Sequence, residues 1–345
     1  MTDSLPFRPL KPWLEATFGR PVHRVALDAG SSCPNRDGTK GFGGCTYCDV
    51  EGSGTGALAH GADLSAQLEK GLKRIARRRR KGQASVGAIA YFQSYSNTYV
   101  DSERLSEVLE VVTPHLGEAV VAVSVATRPD CLPDIALQAL GKLAARVPVW
   151  VELGLESASD QVLLDINRLH TLAEFEDAVA RCHGAGLSTV GHAILGLPGD
   201  GREGARKTAE ALARAGCQGV KVHNLMVLRK TQLAVQWKRG DFKTLEPEDY
   251  VQWLSDFVER LRPDQILHRI TGDAPLENRL SPRWDVYKGE IRARLIAELQ
   301  SRGSVQGSHY QAGQPIIAAK QPQSRSLPGG SMPGDSISPD SMPRH

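Results

Sequence analysis

The sequence predicts an α/β protein: a partial, open (βα)6 barrel of the TIM type, followed by a small C-terminal helical extension and a disordered tail. Two patterns carry that expectation. Strand-like and helix-like stretches alternate six times, and right-handed crossovers wind such repeats into a parallel sheet. Six units fall short of the eight that close a complete barrel. Within Val151-Glu152-Leu153-Gly154-Leu155-Glu156 apolar and polar residues alternate with period two. One face is therefore apolar, for helices to cover, and the face bearing both glutamates is the lumen.

Taken in order, residues 1–20 form a proline- and aromatic-punctuated lead-in, with a domain boundary expected at 16 and packing expected on the outside of the fold. Residues 23–30 read as the first strand, with Val25 and Leu27 alternating. A helix over 64–80 places Leu64, Leu68, Leu72, Ile75 and Ala76 on one face and the arginines largely on the other. Five more units follow: strands at 87–93, 119–128, 148–156, 187–197 and 219–228, and helices at 102–116, 133–146, 172–184, 204–215 and 247–261. The core is expected to span 17–257. An extension over 258–303, ending in a helix through Ile291, Leu295, Ile296 and Leu299, is expected to cap the open side. From 304 to 345 Ser, Gly, Pro and Gln dominate, the composition of a disordered tail.

The 345 residues are 41% apolar and carry a net charge of +3, so the balance of charge makes no global demand for nucleic acid. A local run at Lys73, Arg74, Arg77, Arg78, Arg79, Arg80 and Lys81 is strongly basic, either a phosphate-contacting patch or a solvated helix face. No stretch approaches eighteen continuous apolar residues, and the N-terminus shows no basic-then-apolar signal segment. A cytoplasmic protein with reduced thiols and no membrane contact is expected.

The chemistry concentrates in the loop after the first strand. Cys33, Cys45 and Cys48 stand in a C-x11-C-x2-C pattern, with glycines at 38, 41, 43 and 44 that allow positive φ and close backbone approach. Three thiolates suit three irons of a [4Fe–4S] cluster and leave the fourth iron open for a substrate or cofactor. Zinc in a Cys3His site with His60 and plain thiols are the other readings of these residues. Cys131, Cys182 and Cys217 lack mutual spacing and read as small hydrophobes, so no second cluster is expected.

By the same parity as Glu152 and Glu156, three other strands direct Ser124 with Arg128, His192 with Ile194, and Lys221 with His223 toward the lumen. Residues 91–99 close the second strand with amides, hydroxyls and aromatics, and 195–199 close the fifth with glycines around a proline. Thr171 with Glu174 forms a capping box, placing His170 at a surface. Arg269, Asp273 and Lys288 in the extension read either as substrate contacts or as packing and solvated charge.

Together the cysteine loop with Tyr47, Thr127-Arg128-Pro129-Asp130, Glu152 to Ser157, and Gly191 to Gly199 resemble the radical S-adenosylmethionine (SAM) superfamily, in its Elongator-catalytic-subunit-like branch. Cys33-Pro-Asn-Arg-Asp-Gly, Phe92 to Tyr99, and Asn167-Arg168 with His170-Thr171 narrow the resemblance to the bacterial YhcC/YtqA group, over about residues 18–288. The resemblance implies that Cys33, Cys45 and Cys48 hold a [4Fe–4S] cluster whose free iron chelates the amino and carboxylate groups of SAM. One electron, from a donor such as flavodoxin or ferredoxin, then splits the sulfonium to a 5′-deoxyadenosyl radical. It further implies Tyr47 near the adenine, Gln93 and Ser94 at the methionine amino group, Ser124, Arg128 and Glu156 at ribose or carboxylate, and Ile194 through Pro198 bordering the adenine. The branch points to tRNA, at the wobble-uridine side chain. The alternatives are a small-metabolite substrate or a non-catalytic zinc-binding module. The resemblance does not extend to acetyl-CoA chemistry, for no acetyltransferase segment follows the barrel.

Overall fold

A computed structural model describes residues 5–49, 63–79 and 85–312. His60, Arg80, Lys81 and residues 313–345 of the readings above lie outside the described residues. The helices α1 (Leu10–Phe18), α2 (Leu64–Ala76), α3 (Ser102–Glu110), α4 (Asp134–Ala144), α5 (Asp160–Asp165), α6 (Leu172–Gly184), α7 (Gly201–Arg214), α8 (Gln232–Arg239), α9 (Pro247–Arg260) and α10 (Lys288–Ser301) alternate, among the described residues, with nine strands. These are β1 (Val22–Leu27), β2 (Gly87–Phe92), β3 (Val120–Thr127), β4 (Val149–Glu156), β5 (Ser188–Leu195), β6 (Gly219–Asn224), β7 (Val227–Leu228), β8 (Ile266–Arg269) and β9 (Arg279–Ser281). Local chemistry sets several starts. Asp63 and Asp101 accept from backbone amides at the heads of α2 and α3, and Thr171 with Glu174 makes the expected capping box on α6.

Seven strands form one parallel sheet in the order β1-β2-β3-β4-β5-β6-β8. It is curled into a half-barrel, as contacts between distant strands show: Trp150 of β4 meets His268 of β8 edge-on at 5.8 Å, and the Arg24 guanidinium on β1 donates to the His268 carbonyl at 3.3 Å. The outward apolar set, among it Val25, Val123, Val151, Leu153 and Val222, packs under the helices as the main core. That is the burial the period-two pattern of β4 implies.

Four features depart from the sequence reading. The lead-in lies inside: Leu10 and Leu14 of α1 pack with Val22, Ile89, Trp150, Val190 and Ile266, plugging the N-terminal end of the barrel. Its prolines make it read as irregular, yet Pro12 sits in the first turn of α1, where an amide has no helical partner to lose. The stretch 219–228 is two strands, because after Asn224 the chain leaves the sheet and β7 pairs antiparallel with β9. The extension supplies β8 to the sheet, four residues that are too few to show a period. Finally, the tail starts as ordered structure: the Gln306 side chain donates to the carbonyls of Arg262 and Gln265 at 2.7 and 2.9 Å and accepts from the Arg8 amide at 3.0 Å. One amide tying three backbone groups outweighs a composition poor in apolar residues.

Candidate active site

The loop after β1 folds back on itself at the C-terminal mouth of the barrel. The Cys33 carbonyl accepts from the Arg36 amide at 2.8 Å, and the Asn35 carbonyl accepts from the Gly44 amide at 2.8 Å. Gly43 and Gly44 hold φ of 78° and 77°, values that disfavour any side chain, and a Cβ on Gly44 would stand 3.1 Å from the Arg36 side chain. Gly41 has no positive φ; it is needed because a Cβ there would lie 2.6 Å from Leu169 Cδ1. The result is that Cys33, Cys45 and Cys48 all line one cavity of about 290 Å³.

Their spacing bears on what they hold. A single zinc ion needs its sulfurs within about 4 Å of one another, since each lies about 2.3 Å from the metal. Among the described residues no three His, Cys, Asp or Glu side chains converge to hold one metal ion. A cubane cluster spreads its three ligands over three separate irons, which suits thiols that line one cavity and do not converge on a single ion. Burial, with Cys45 adding to it, pushes the Cys48 thiol up to about 11 against the pull of Arg36, so a cation is needed to keep it a thiolate.

Hydrogen-bond donors stand beside two of these sulfurs. The Asn35 amide and the Arg168 guanidinium each stand 3.8 Å from Cys45 Sγ, and the Arg36 guanidinium stands 3.5 Å from Cys48 Sγ. Arg168 comes from the loop between α5 and α6, which buckles onto the cysteine loop. Asn167 Nδ2 donates to the carbonyls of Phe42 and Gly44 at 3.1 and 2.8 Å, and the Thr46 amide donates to the Ile166 carbonyl at 2.9 Å. Asn167 and Leu169 adopt φ of 55° and 58°, and Glu156 at the end of β4 adopts 70°. Such strain persists only where the surroundings over-determine it. Gly154 is part of that determination: a Cβ there would fall 2.3 Å from Arg168 Nη2 and 2.4 Å from Glu156 Oε1. His170, read as a surface residue, is instead 3% exposed, and neither ring nitrogen is hydrogen-bonded among the described residues. Burial, with Arg168 and Arg128 nearby, drives its pKa down to about 2, so it is neutral.

Of the other residues singled out from sequence, Tyr47, Gln93, Ser94, Arg128, Glu156 and Ile194 line this same cavity, and Ser124 does not. Ser124 is 1% exposed and gives its hydroxyl to Glu152 Oε1 at 2.6 Å, below the cavity wall. Ser94 donates to Asp28 at 3.0 Å. Arg128 grips Asp130 with two bonds of 2.8 Å and donates to the Arg168 carbonyl at 2.7 Å, leaving Nη1 unpartnered among the described residues. In the sequence Asn167 and Arg168 stand out only as part of a motif. No residue at hand foretells that Arg168 reaches Cys45.

The lumen floor is a charged network. Glu152 accepts from Ser124 and Lys221, and from His192 at 3.0 Å; Lys221 also donates to the Tyr91 hydroxyl at 3.1 Å. Burial alone would raise the Glu152 carboxyl, but Lys221, His192 and Arg24 hold it well below the usual carboxylate range. Burial pulls Lys221 down to about 7 in spite of Glu152.

A parallel half-barrel whose C-terminal mouth carries three cysteines over a polar lumen defines a class of cofactor-dependent enzymes, with their sites at the strand ends. The model of the radical SAM superfamily matches residues 33–212, and that of the Radical_SAM C-terminal domain matches 217–301. The chain belongs to the radical SAM superfamily, whose enzymes work with a [4Fe–4S] cluster and S-adenosylmethionine. It is 40% identical over 298 residues to YtqA of Bacillus subtilis (86% of this chain, 91% of that one), and 33% identical over 296 residues to YhcC of Escherichia coli K12 (86% and 92%). A tRNA uridine(34) acetyltransferase of Methanocaldococcus infernus is 28% identical over 159 residues, 45% of this chain and 29% of that one. In fold, the chain matches the solved structure of the Elp3 of the same archaeon, lacking its N-terminus, with a TM-score of 0.61 at 19% identity. The match covers 83% of this chain and 64% of that one. Among the described residues no helix is long and apolar enough to cross a membrane.

Proposed function

We propose that this protein is a cytoplasmic radical SAM enzyme that modifies the side chain of a wobble uridine in tRNA, with Cys33, Cys45 and Cys48 as the cluster ligands. The observation that carries the reading is the convergence of these three thiols on one polar cavity. When bound, the cluster and SAM supply a 5′-deoxyadenosyl radical, given one electron from an acidic donor such as flavodoxin or ferredoxin. The chain's own residues hold, orient and exclude water. Asn35, Arg36 and Arg168 donate toward the sulfurs and offset their negative charge. Tyr47 and Ile194 offer apolar surface to an adenine, while Gln93, Ser94, Arg128 and Glu156 present polar atoms to methionine and ribose. Ser124 acts on this site through Glu152, as a positioning residue.

The kinship with a tRNA uridine(34) acetyltransferase supports the tRNA assignment. Lys73, Arg74 and Arg77 to Arg79, on and after α2, are a basic stretch able to neutralise phosphates. The test has two arms. Anaerobically reconstituted protein with dithionite and SAM should release 5′-deoxyadenosine, faster with bulk tRNA than with a metabolite extract. Deleting the gene should change one wobble nucleoside by mass spectrometry. An unchanged nucleoside profile, with release accelerated by the extract instead, would replace tRNA by a small metabolite.

A further inference from the structure

The wall of the cavity built by β6 and β8 is cationic and only partly used. Lys221 and Arg269 are register partners across these strands, and the register shift between Val220 and Lys221 leaves His268 as the extra residue. Such a bulge re-aims the side chain that follows it, and Arg269 lines the cavity as a result. Lys221 is committed to Glu152 and Tyr91. Beyond the strand pairing of its backbone, the Arg269 side chain makes no hydrogen bond or ion pair among the described residues. The two acids that act on it are already engaged, Glu152 with Lys221 and Asp273 with Lys288. Beside it the His223 ring, 5.8 Å from that of His192, has a buried Nε2 with no partner among the described residues.

The guanidinium is an unmet donor and the ring nitrogen an unpaired polar atom, at the strand ends where such barrels bind substrate. Burial, and then Arg24, lower the pKa of Arg269, so the cation is kept there at a cost that a bound anion would offset. We propose that Arg269, flanked by Lys221 and His223, is an oxyanion subsite that receives a carboxylate or a phosphate of the substrate. The proposal rests on the reading of this cavity as the reaction chamber. A guanidinium matches either group with two parallel hydrogen bonds, which an ammonium cannot.

The test is calorimetric titration of the reconstituted holoenzyme, SAM present, with four probes: uridine, uridine 5′-monophosphate, a 5-substituted uridine ending in a carboxylate, and the amide of that compound. The wild type is expected to bind one charged probe at least about tenfold tighter than its uncharged counterpart, a difference of about 1.4 kcal/mol. Arg269→Gln should bring the two within about twofold, and Arg269→Lys should retain part of the preference. Preference for the monophosphate assigns the subsite to a backbone phosphate; preference for the carboxylate assigns it to the modified base. Equal affinity for charged and uncharged probes in the wild type, or a preference that survives Arg269→Gln, overturns it. Iron content and 5′-deoxyadenosine release report on the radical chemistry separately, so the two readings fail by different measurements.

Discussion

The two ends of the barrel are made by the same strands with the same parity, and they do different work. At the N-terminal end the inward positions of β1, β2, β4, β5 and β8 are Val22, Ile89, Trp150, Val190 and Ile266, closed off by α1. Two residues further along, β4 offers Glu152, β5 His192 and β2 Tyr91 to the lumen. The apolar layer excludes water from below, so the charges above it interact in a poorly screened medium and must satisfy one another. Stability is thus set by the lower layer and chemistry by the upper one, within about 7 Å of strand length.

If that division is right, changes at the two ends should separate folding from activity. The largest effect belongs to Cys45→Ala, which should abolish 5′-deoxyadenosine release and lower the iron content. Its urea midpoint should move far less than that of a core variant. Next, Trp150→Ala opens the lower layer and should cost about 3–5 kcal/mol in urea unfolding. Iron per folded molecule should stay unchanged; a loss of iron in step with stability would merge the two ends into one unit. Smaller again, Arg168→Gln removes a donor from Cys45 and should lower activity about 10–100-fold. The midpoint potential of the cluster, followed by EPR during reductive titration, should fall as the sulfur loses a positive neighbour. An unmoved potential would reduce Arg168 to a structural tie.

The smallest effect concerns pH. His170 is neutral in the folded protein, with a pKa near 2, whereas the unfolded chain takes up a proton below about 6.5. The unfolded state then binds more protons, so stability is fully present above that pH and declines as pH falls, by at most about 1.4 kcal/mol per unit. His170→Phe should flatten this acid limb in thermal melts between pH 7 and 5. A limb that keeps its slope would assign it to other groups.

How much of this could be read in advance follows from the range of each signal. The six units were legible because strand and helix periods repeat within eight to fifteen residues. The cysteine loop was legible because its three thiols are close in sequence. Arg168 escaped: it is a charge in a short loop, with no period to betray its direction, and Tyr91 stood out only as the start of the polar stretch 91–99, not as a partner of Lys221. Ser124 shows the opposite error. Its parity is right, but the next layer of side chains closes over it.

By itself, then, the sequence determined the α/β class, the inward face of each long strand and the loop that gathers the thiols, for these depend on neighbours along the chain. Only the tertiary structure decided that α1 plugs the barrel, that β8 joins the sheet, and that Arg168 and Arg269 turn toward the cavity. Each of those outcomes depends on which distant surface is left uncovered or uncharged once everything else has packed, and no local pattern carries that information.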